Sequence, residues 1–535
     1  MSTQSQLLIP IAGTLAAYVL FYLGKVVYEE LTSPLRNLPG PKGANVVLGH
    51  FRQIDGRELW TADTKALNHI LACDHLYQKG PVAERFVKDL LGGGLLAVEG
   101  EAHKRQASTI ICCFDTLFPS DVSSEEDIFP FQNPAFGVPQ IRALTEIFLQ
   151  KSFQLRDIWM QELSEDPRID VFAGLRKAAL DMIGSAAFNY EFNALDPDPD
   201  GKLPNELHEA LTHLLHSPQA QRQNVVRFAQ AIFPVLRFLP LPGRKFVHDA
   251  RTKMIRIASQ LLAQSKDAVK ASGEGKNSLR DRDLLSLMVN ANLATDLPEE
   301  QRLSDADVIA QIPTFFVAGH ETTSTATAWA LYALSLDSRV QTKLREELLS
   351  LSIDRPTMDE LNSLPYLESV VREVMRVHAP VEYTSRTAMK DDVLPLSKHY
   401  IDQHGQTYNS ISIHEGTTIR LPIRAVHLDQ DIWGPDVMEF RPERWEHLPE
   451  AVLSIPGVWG NLLTFIAGPH NCLGFRFAVV EMKVLLFTLV RAFEFRPALP
   501  EGGIGYTATP VKHPVVNSEP EKGSQLPLVV TPYAH

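Results

Sequence analysis

The chain has 535 residues, 44% of them hydrophobic, and its 51 Lys and Arg against 64 Asp and Glu leave a net charge of −13. That acidic balance argues against a nucleic-acid partner, because non-specific binding draws its affinity from cations that neutralise phosphates. No Gly/Ser linker, internal repeat or low-complexity block divides the sequence, so one large domain is favoured over the several that ~150 residues per domain would allow.

The four cysteines, Cys73, Cys112, Cys113 and Cys472, match neither a zinc spacing nor a disulfide framework. The adjacent pair is badly placed for a mutual bridge, which favours a reducing compartment. From the N-terminus, Leu7 to Gly24 carries no charge and at 18 residues just reaches membrane-spanning length. Lys25 follows this run and no Lys or Arg precedes it, which places the short N-terminus outside and the rest of the chain in the cytosol. A cleaved signal peptide is the rival reading, but the basic start and small-residue end that it usually carries are both missing. Residues 1–24 are therefore predicted as a single-pass anchor and 25–43 as a linker ending in the stiff Leu38-Pro39-Gly40-Pro41-Lys42 hinge. The main domain follows over 44–535.

Apolar positions spaced three and four apart predict helices over 138–163, 244–270 and 338–351. Ser304 through Leu334 reads as a long, mostly apolar helix of the kind found at the centre of a large fold. Residues 230–244 form an apolar, proline-broken connection, either a core loop or a second membrane contact. Strand-like pieces are fewer, at 411–413, 417–421 and 526–531, so the expected class is mainly α with small β-sheets.

The most specific signal is Phe465-Ile-Ala-Gly468-Pro-His470-Asn-Cys472-Leu-Gly474. By default a lone cysteine is a small buried hydrophobe. Here Gly468 and Gly474 flank the thiol and let the backbone bend with its N–H groups aimed at sulfur. A thiolate needs such donors, and the start of a helix predicted over 475–495 favours the anion further. Phe465 is suited to shield the loop and pack on a flat macrocycle. His470 is suited to meet an acidic group.

This loop resembles the F-x-x-G-x-x-x-C-x-G ligand loop of the cytochrome P-450 family, in particular of its fungal, basidiomycete members. The resemblance implies that family's fold and a haem b cofactor (iron protoporphyrin IX) ligated by the thiolate of Cys472, which pushes electron density onto iron and favours O–O cleavage. Phe465, Gly468, His470 and Gly474 would then hold the cofactor, with His103, His470 and Arg386 of Thr384-Ser-Arg-Thr-Ala directed at its propionates. Three more segments match in order. Glu373-Val-Met-Arg376 and Phe440-Arg-Pro-Glu-Arg444-Trp445 imply a buried structural triad of Glu373, Arg376 and Arg444, with Trp445 in place of the usual Phe. Taken alone, Glu373 and Arg376 are only an i,i+3 ion pair. Ala318-Gly319-His320-Glu321-Thr322-Thr323 reads by itself as a helix bend with hydroxyls bonded back to carbonyls. By resemblance, Gly319 opens a groove for dioxygen, and Glu321 and Thr322 relay protons by general acid catalysis. Phe315, Phe316, Ala318, Val381 and Thr384 would border the substrate cavity.

Two departures stand out. His103-Lys-Arg-Gln106 should run on to an Arg and soon to Asn-Pro-Ala-Phe, but Ala107 replaces the Arg and residues 107–131 lie between. Near 54–58 the sequence looks shortened, and the family's first helix and a leading strand look absent. Either is explained by exon boundaries drawn wrongly or by a natural variant. No dinucleotide fingerprint is present, so electrons would come from NADPH through a separate reductase, docking on a basic patch of Lys104, Arg105, Arg476 and Lys483. The resemblance further implies an endoplasmic reticulum membrane, dioxygen and a small apolar substrate, with terpenoids or other secondary metabolites favoured. The other readings are a haem-thiolate isomerase or dehydratase that needs no reductase, and an inactive chain. The intact Glu321 and Thr322 argue against the isomerase.

Overall fold

The computed structural model describes residues 56–112, 138–196, 205–216, 244–272, 283–293, 302–507 and 510–533, with residues 52–53 and scattered positions between 17 and 38. All of the predicted hinge but Leu38, most of the predicted anchor, residues 113–131 of the unusual segment and nearly all of the 230–244 connection lie outside the described residues. Among the described residues no helix is long and apolar enough to cross a membrane.

In chain order the elements begin with β1 (Arg52–Gln53), β2 (Gly56–Trp60), α1 (Thr64–Ala72), β3 (Tyr77–Gln78), α2 (Pro81–Leu91) and α3 (Gly100–Cys112). They continue with α4 (Val138–Glu162), β4 (Arg168–Asp170), α5 (Val171–Phe188), α6 (Glu206–His216), α7 (Arg244–Ser272) and α8 (Leu284–Leu293). The central helix is α9 (Asp305–Leu336), followed by α10 (Ser338–Ser350), α11 (Met358–Asn362) and α12 (Pro365–Val377). Then come β5 (Thr384–Ala388), β6 (Asp392–Ile401), β7 (Thr407–Ile413), β8 (Thr418–Leu421), α13 (Ile423–His427) and α14 (Gln430–Trp433). The chain closes with α15 (Phe475–Ala492), β9 (Phe493–Pro497), β10 (Ile504–Tyr506), β11 (Pro514–Val516) and β12 (Pro527–Pro532).

Residues 1–80, 383–422 and 468–470 form one compact unit, and residues 81–382, 423–467 and 471–535 the other. The first holds a mixed five-stranded sheet in the order β1-β2-β8-β5-β3 and the β6–β7 hairpin. Only β2 and β8 run parallel; the other pairings of that sheet are antiparallel. Asp63 caps α1 by accepting from the N–H groups of Lys65 and Ala66, and the same carboxylate takes the N–H and hydroxyl of Ser397. His69 meets Asp392 at 2.8 Å, so both ends of α1 are tied to the hairpin. A leading strand is present after all, as β1. Two residues suffice because they pair only on the edge of β2, at Arg52–Arg57 and Gln53–Gly56.

The second unit is built on α9, which is buried over most of its 32 residues and starts from a capping box of Ser304 and Asp307. Such a helix is apolar nearly all round because it has neighbours on every side. Parallel to it in importance is α15, whose Phe477 meets Phe148 of α4 edge-on at 4.8 Å, with Ser152 and Thr488 hydrogen-bonded nearby at 3.1 Å. A small sheet, β4-β12-β9, and the β10–β11 pair complete the unit. The helix α3 runs unbroken through Cys112 and buries Ala107 and Ile110, so the first residues of the unusual 107–131 segment are ordinary packed helix.

Candidate active site

Two single 3-10 turns, Leu463–Phe465 and Gly468–His470, shape the loop before α15. Between them Ile466 holds a positive φ of 57°, a costly conformation for a β-branched residue. Its N–H donates to Leu463 O at 2.9 Å and its carbonyl accepts from Val458 N at 3.2 Å, which fixes that turn. Gly468, at φ +71°, needs to be glycine twice over, since a Cβ there would stand 2.1 Å from the carbonyl oxygen of Leu71. Cys472 closes the loop by donating its N–H to Phe465 O at 2.9 Å. Phe465 is buried, with the rings of Trp459 and Phe475 5.7 and 6.0 Å away.

The Cys472 side chain is exposed although Leu463, Phe465 and Phe477 around it in sequence are buried. At the same time enough protein surrounds the thiol to push its pKa up to about 11, opposed by the hydrogen bond from the Gly474 N–H. Gly474 caps α15 without a side-chain hydrogen bond and directs its own N–H at the Cys472 sulfur. A single soft sulfur ligand with an N–H donor beside it suits haem, whose iron favours the thiolate; it does not suit a metal held by several side chains, and no such cluster exists among the described residues. Cys472, Phe465, Gly474 and the buried His103 of α3 lie in the second unit. His470, half-buried, and Arg386 of β5 lie in the first. Arg386 is buried and donates to Ser385 O at 2.9 Å and to the Thr384 hydroxyl at 3.3 Å.

Behind the loop, Glu373, Arg376 and Arg444 come together with almost no exposure. Arg376 grips Glu373 through two parallel bonds, Nε to Oε2 at 2.9 Å and Nη2 to Oε1 at 2.8 Å. The Nε of Arg444 reaches Oε1 at 3.4 Å, the Arg441 N–H donates to the same oxygen at 3.0 Å, and the Trp445 indole donates to Oε2 at 3.1 Å. Spare guanidinium donors go to the carbonyls of His427 and Val437 and to Asp436, whose carboxyl the Arg444 bond holds below its usual range. His427 links this cluster to the ligand loop: its Nε2 accepts the Leu463 N–H at 2.8 Å. Burial lowers its pKa to about 3, so it stays neutral and able to accept. Nothing in the sequence around His427 marks that role, which depends on a contact 36 residues away.

On α9 the residues that keep partial exposure in the middle of the helix include Phe315, Ala318, Gly319 and Thr322, spaced along one face, while most of their neighbours are buried. Thr322 donates to Ala318 O at 2.7 Å, and Ser324, Thr325 and Thr327 bond back in the same way. Val381 and Thr384 are half-buried, one in each unit. Three expectations need correction. Phe316 does not border a cavity: it is fully buried against Phe188, Tyr190 and Phe192, at ring distances of 4.4, 6.5 and 5.0 Å. One helix position turns a side chain by about 100°, so Phe315 and Phe316 cannot share a face. Gly319 makes room for α5 and not for a small ligand, since its absent Cβ would sit 2.8 Å from Ile183. Lys483 is no part of a basic surface; it is buried, 2.7 Å from both Glu368 and Asn362.

The Cytochrome P-450 family model matches residues 115–503. Among curated proteins, Cytochrome P-450 monooxygenase 205 of Postia placenta is 46% identical over 95% of this chain and 95% of its own length. Cytochrome P-450 monooxygenase 128 of the same fungus is 44% identical over 97% and 96%. Cytochrome P-450 monooxygenase claP of Ampulloclitocybe clavipes is 32% identical over 90% of each chain. With the thiol loop, the buried triad and a match of this extent, the chain belongs to the cytochrome P-450 family and is a haem-dependent monooxygenase of the fungal kind.

Proposed function

We propose that the enzyme inserts one oxygen atom from dioxygen into an apolar C–H or C=C bond of a terpenoid or other secondary metabolite, with electrons from NADPH through a separate reductase. The observation that carries this reading is the Cys472 sulfur, exposed between the buried Phe465 and Phe477 and faced by the Gly474 N–H. When bound, haem b supplies an iron centre that activates dioxygen. Cys472 would hold it as a thiolate, with Phe465 and Gly474 shaping the loop around the sulfur, and His103, Arg386 and His470 would answer the propionates. Phe315, Ala318, Val381 and Thr384 supply small or apolar contacts to substrate. The Thr322 hydroxyl and the Glu321 carboxyl move protons, and the burial of Glu321 keeps bulk water from competing.

The uncharged run at 7–24 supports a single-pass anchor in the endoplasmic reticulum membrane with the catalytic part in the cytosol. Lys104, Arg105 and Arg476 remain for a reductase, and Lys104 is well exposed. The test is spectroscopic. The reduced, CO-bound protein is expected to show the red-shifted Soret band of thiolate-ligated haem, and C472S to lose it while keeping its helical content. Turnover of apolar ligands that requires both NADPH and reductase follows from the same reading. A normal Soret position in folded wild-type protein would defeat it.

A further inference from the structure

The buried end of Glu321 is surrounded by more ionisable groups than a proton donor needs for itself. On α9, His320 Nε2 stands 2.7 Å from Glu321 Oε1. From the segment before β11, His513 Nε2 stands 2.9 Å from Oε2. From α5, an Arg176 Nη lies 3.7 Å from Oε1. The side chains of His320 and Glu321 are each 5% exposed, against 10% for His513 and 24% for Arg176, so exposure rises outward from the carboxyl. The arrangement is held from behind: the Phe172 ring packs on His513 at 5.5 Å and lies under the Arg176 guanidinium at 5.6 Å. The backbone of the His513 segment is pinned to α9 by the Trp329 indole, which donates to Lys512 O at 2.8 Å. Lys512 itself pairs with Glu382 at 3.2 Å.

The tautomer of His320 follows from one contact. Its Nδ1 lies 2.8 Å from Phe316 O, and a carbonyl only accepts, so Nδ1 carries the hydrogen. A neutral His320 would then present a bare Nε2 nitrogen to an ionised carboxylate at 2.7 Å, two electron-rich atoms in contact inside a poorly solvated site. One proton relieves that repulsion, whether it sits on nitrogen or on oxygen.

We propose that His320 and Glu321 jointly hold one stored proton, that the store is refilled through His513, and that Arg176 is a positioning residue beside the carboxyl. This rests on the monooxygenase reading. In one cycle Glu321 releases a proton towards the Thr322 side of α9, takes one at Oε2 from His513 Nε2, and His513 recovers it from solvent. Arg176 stays charged throughout and keeps the carboxyl's anionic state accessible between transfers. No bond to carbon changes and no electron moves, so nothing beyond solvent protons is consumed.

Histidine-selective 15N NMR of the full-length, CO-bound ferrous protein at pH 7 reads the store without turnover. Infrared difference spectra of wild type against E321Q read the carboxyl. The expected result is either a doubly protonated His320 ring or a neutral ring accompanied by a carboxylic-acid band that E321Q removes. A neutral ring with no such band overturns the stored proton. For the refilling step, H513Q is expected to lower product formed per NADPH by about tenfold, less than the roughly 10²–10⁴-fold of a direct general acid because His513 acts through Glu321, and to raise the solvent isotope effect. Its substrate-binding spectrum and Soret band should remain those of wild type. Unchanged coupling in H513Q overturns the role of His513. Loss of the red-shifted Soret band in the wild-type protein would instead count against the haem-thiolate reading, which keeps the two failures apart.

Discussion

The indole N–H of Trp445 donates to Oε2 of Glu373 at 3.1 Å, giving the buried carboxylate a donor that a phenylalanine at that position lacks. Glu373 already answers two guanidinium groups and a backbone N–H, so the indole completes a shell around a charge with no access to water. The ring is also held in place by the edge of Trp433 at 5.6 Å and the Arg372 guanidinium at 5.6 Å. Hydrogen bonds to buried charges contribute about 1.5–3 kcal/mol. W445F is therefore expected to lose about that much stability in urea denaturation while keeping the CO-difference spectrum of the folded fraction. No change in the midpoint would show that the indole bond is redundant.

A second prediction concerns acid. Burial depresses the His427 pKa from 6.5 to about 3. The unfolded chain takes up a proton below 6.5 that the folded chain refuses, so stability is complete above pH 6.5 and falls as the pH drops towards 3. The slope approaches about 1.4 kcal/mol per pH unit within that window from this residue alone. Because Nε2 accepts the Leu463 N–H, protonation also frees the segment leading into the ligand loop. Haem release followed between pH 7 and 4 should steepen below about 6.5, where free histidine begins to charge, and H427Q should flatten that step while lowering stability at neutral pH. A release profile identical in H427Q would sink the assignment.

How far the sequence could be read depended on whether a residue's role was local. The helices at 138–162, 244–272 and 338–350 follow the apolar spacing closely, because an amphipathic face is written into adjacent turns. The central helix gave no such guidance on orientation. Its apolar residues run all round, so Phe315 and Phe316 looked alike until their neighbours were known. Short strands such as β3 and the register-shifted β6 carry too few residues for a period to show. Cys472 was legible because its glycines and aromatics are neighbours in the chain. The contacts of His427 with Leu463 and of Glu321 with His513 cross long sequence separations, and no pattern announces them.

Lys483 shows the same limit and yields a third prediction. A lysine on a helix reads as a solvated charge, yet this one sits buried between Glu368 and Asn362, and Glu368 also binds Arg372 at 2.6 Å. The two cations hold the Glu368 carboxyl below its usual range in spite of its burial, which by itself would raise it. Removing one partner of a buried pair leaves the other uncompensated and costs about 3–5 kcal/mol. K483Q should therefore lower the denaturation midpoint sharply and leave the reductase concentration for half-maximal turnover unchanged. Lys104, 73% exposed, should do the reverse when replaced by glutamate. A K483Q protein of normal stability with weakened reductase binding would restore the basic-patch reading.

The last prediction separates two meanings of Gly319. If the glycine opens space for a small ligand, G319A should alter coupling and leave stability untouched. The structure favours packing: the added methyl would meet Ile183 Cγ1 at 2.8 Å and Cδ1 at 2.9 Å, and Ile183 is itself buried on α5 with little room to retreat. Overpacking of this kind costs about 1–3 kcal/mol, offset by about 1 kcal/mol from replacing glycine within a helix. G319A should thus be destabilised by up to about 2 kcal/mol, and G319V by more. I183A alone leaves a cavity worth about 2–5 kcal/mol. In the double variant the two changes fill each other's deficit, so its loss should fall short of the sum of the single losses by at least about 1 kcal/mol. Strict additivity in that cycle would mean that the two residues do not press on one another, and the ligand-groove role for Gly319 would again be the better account.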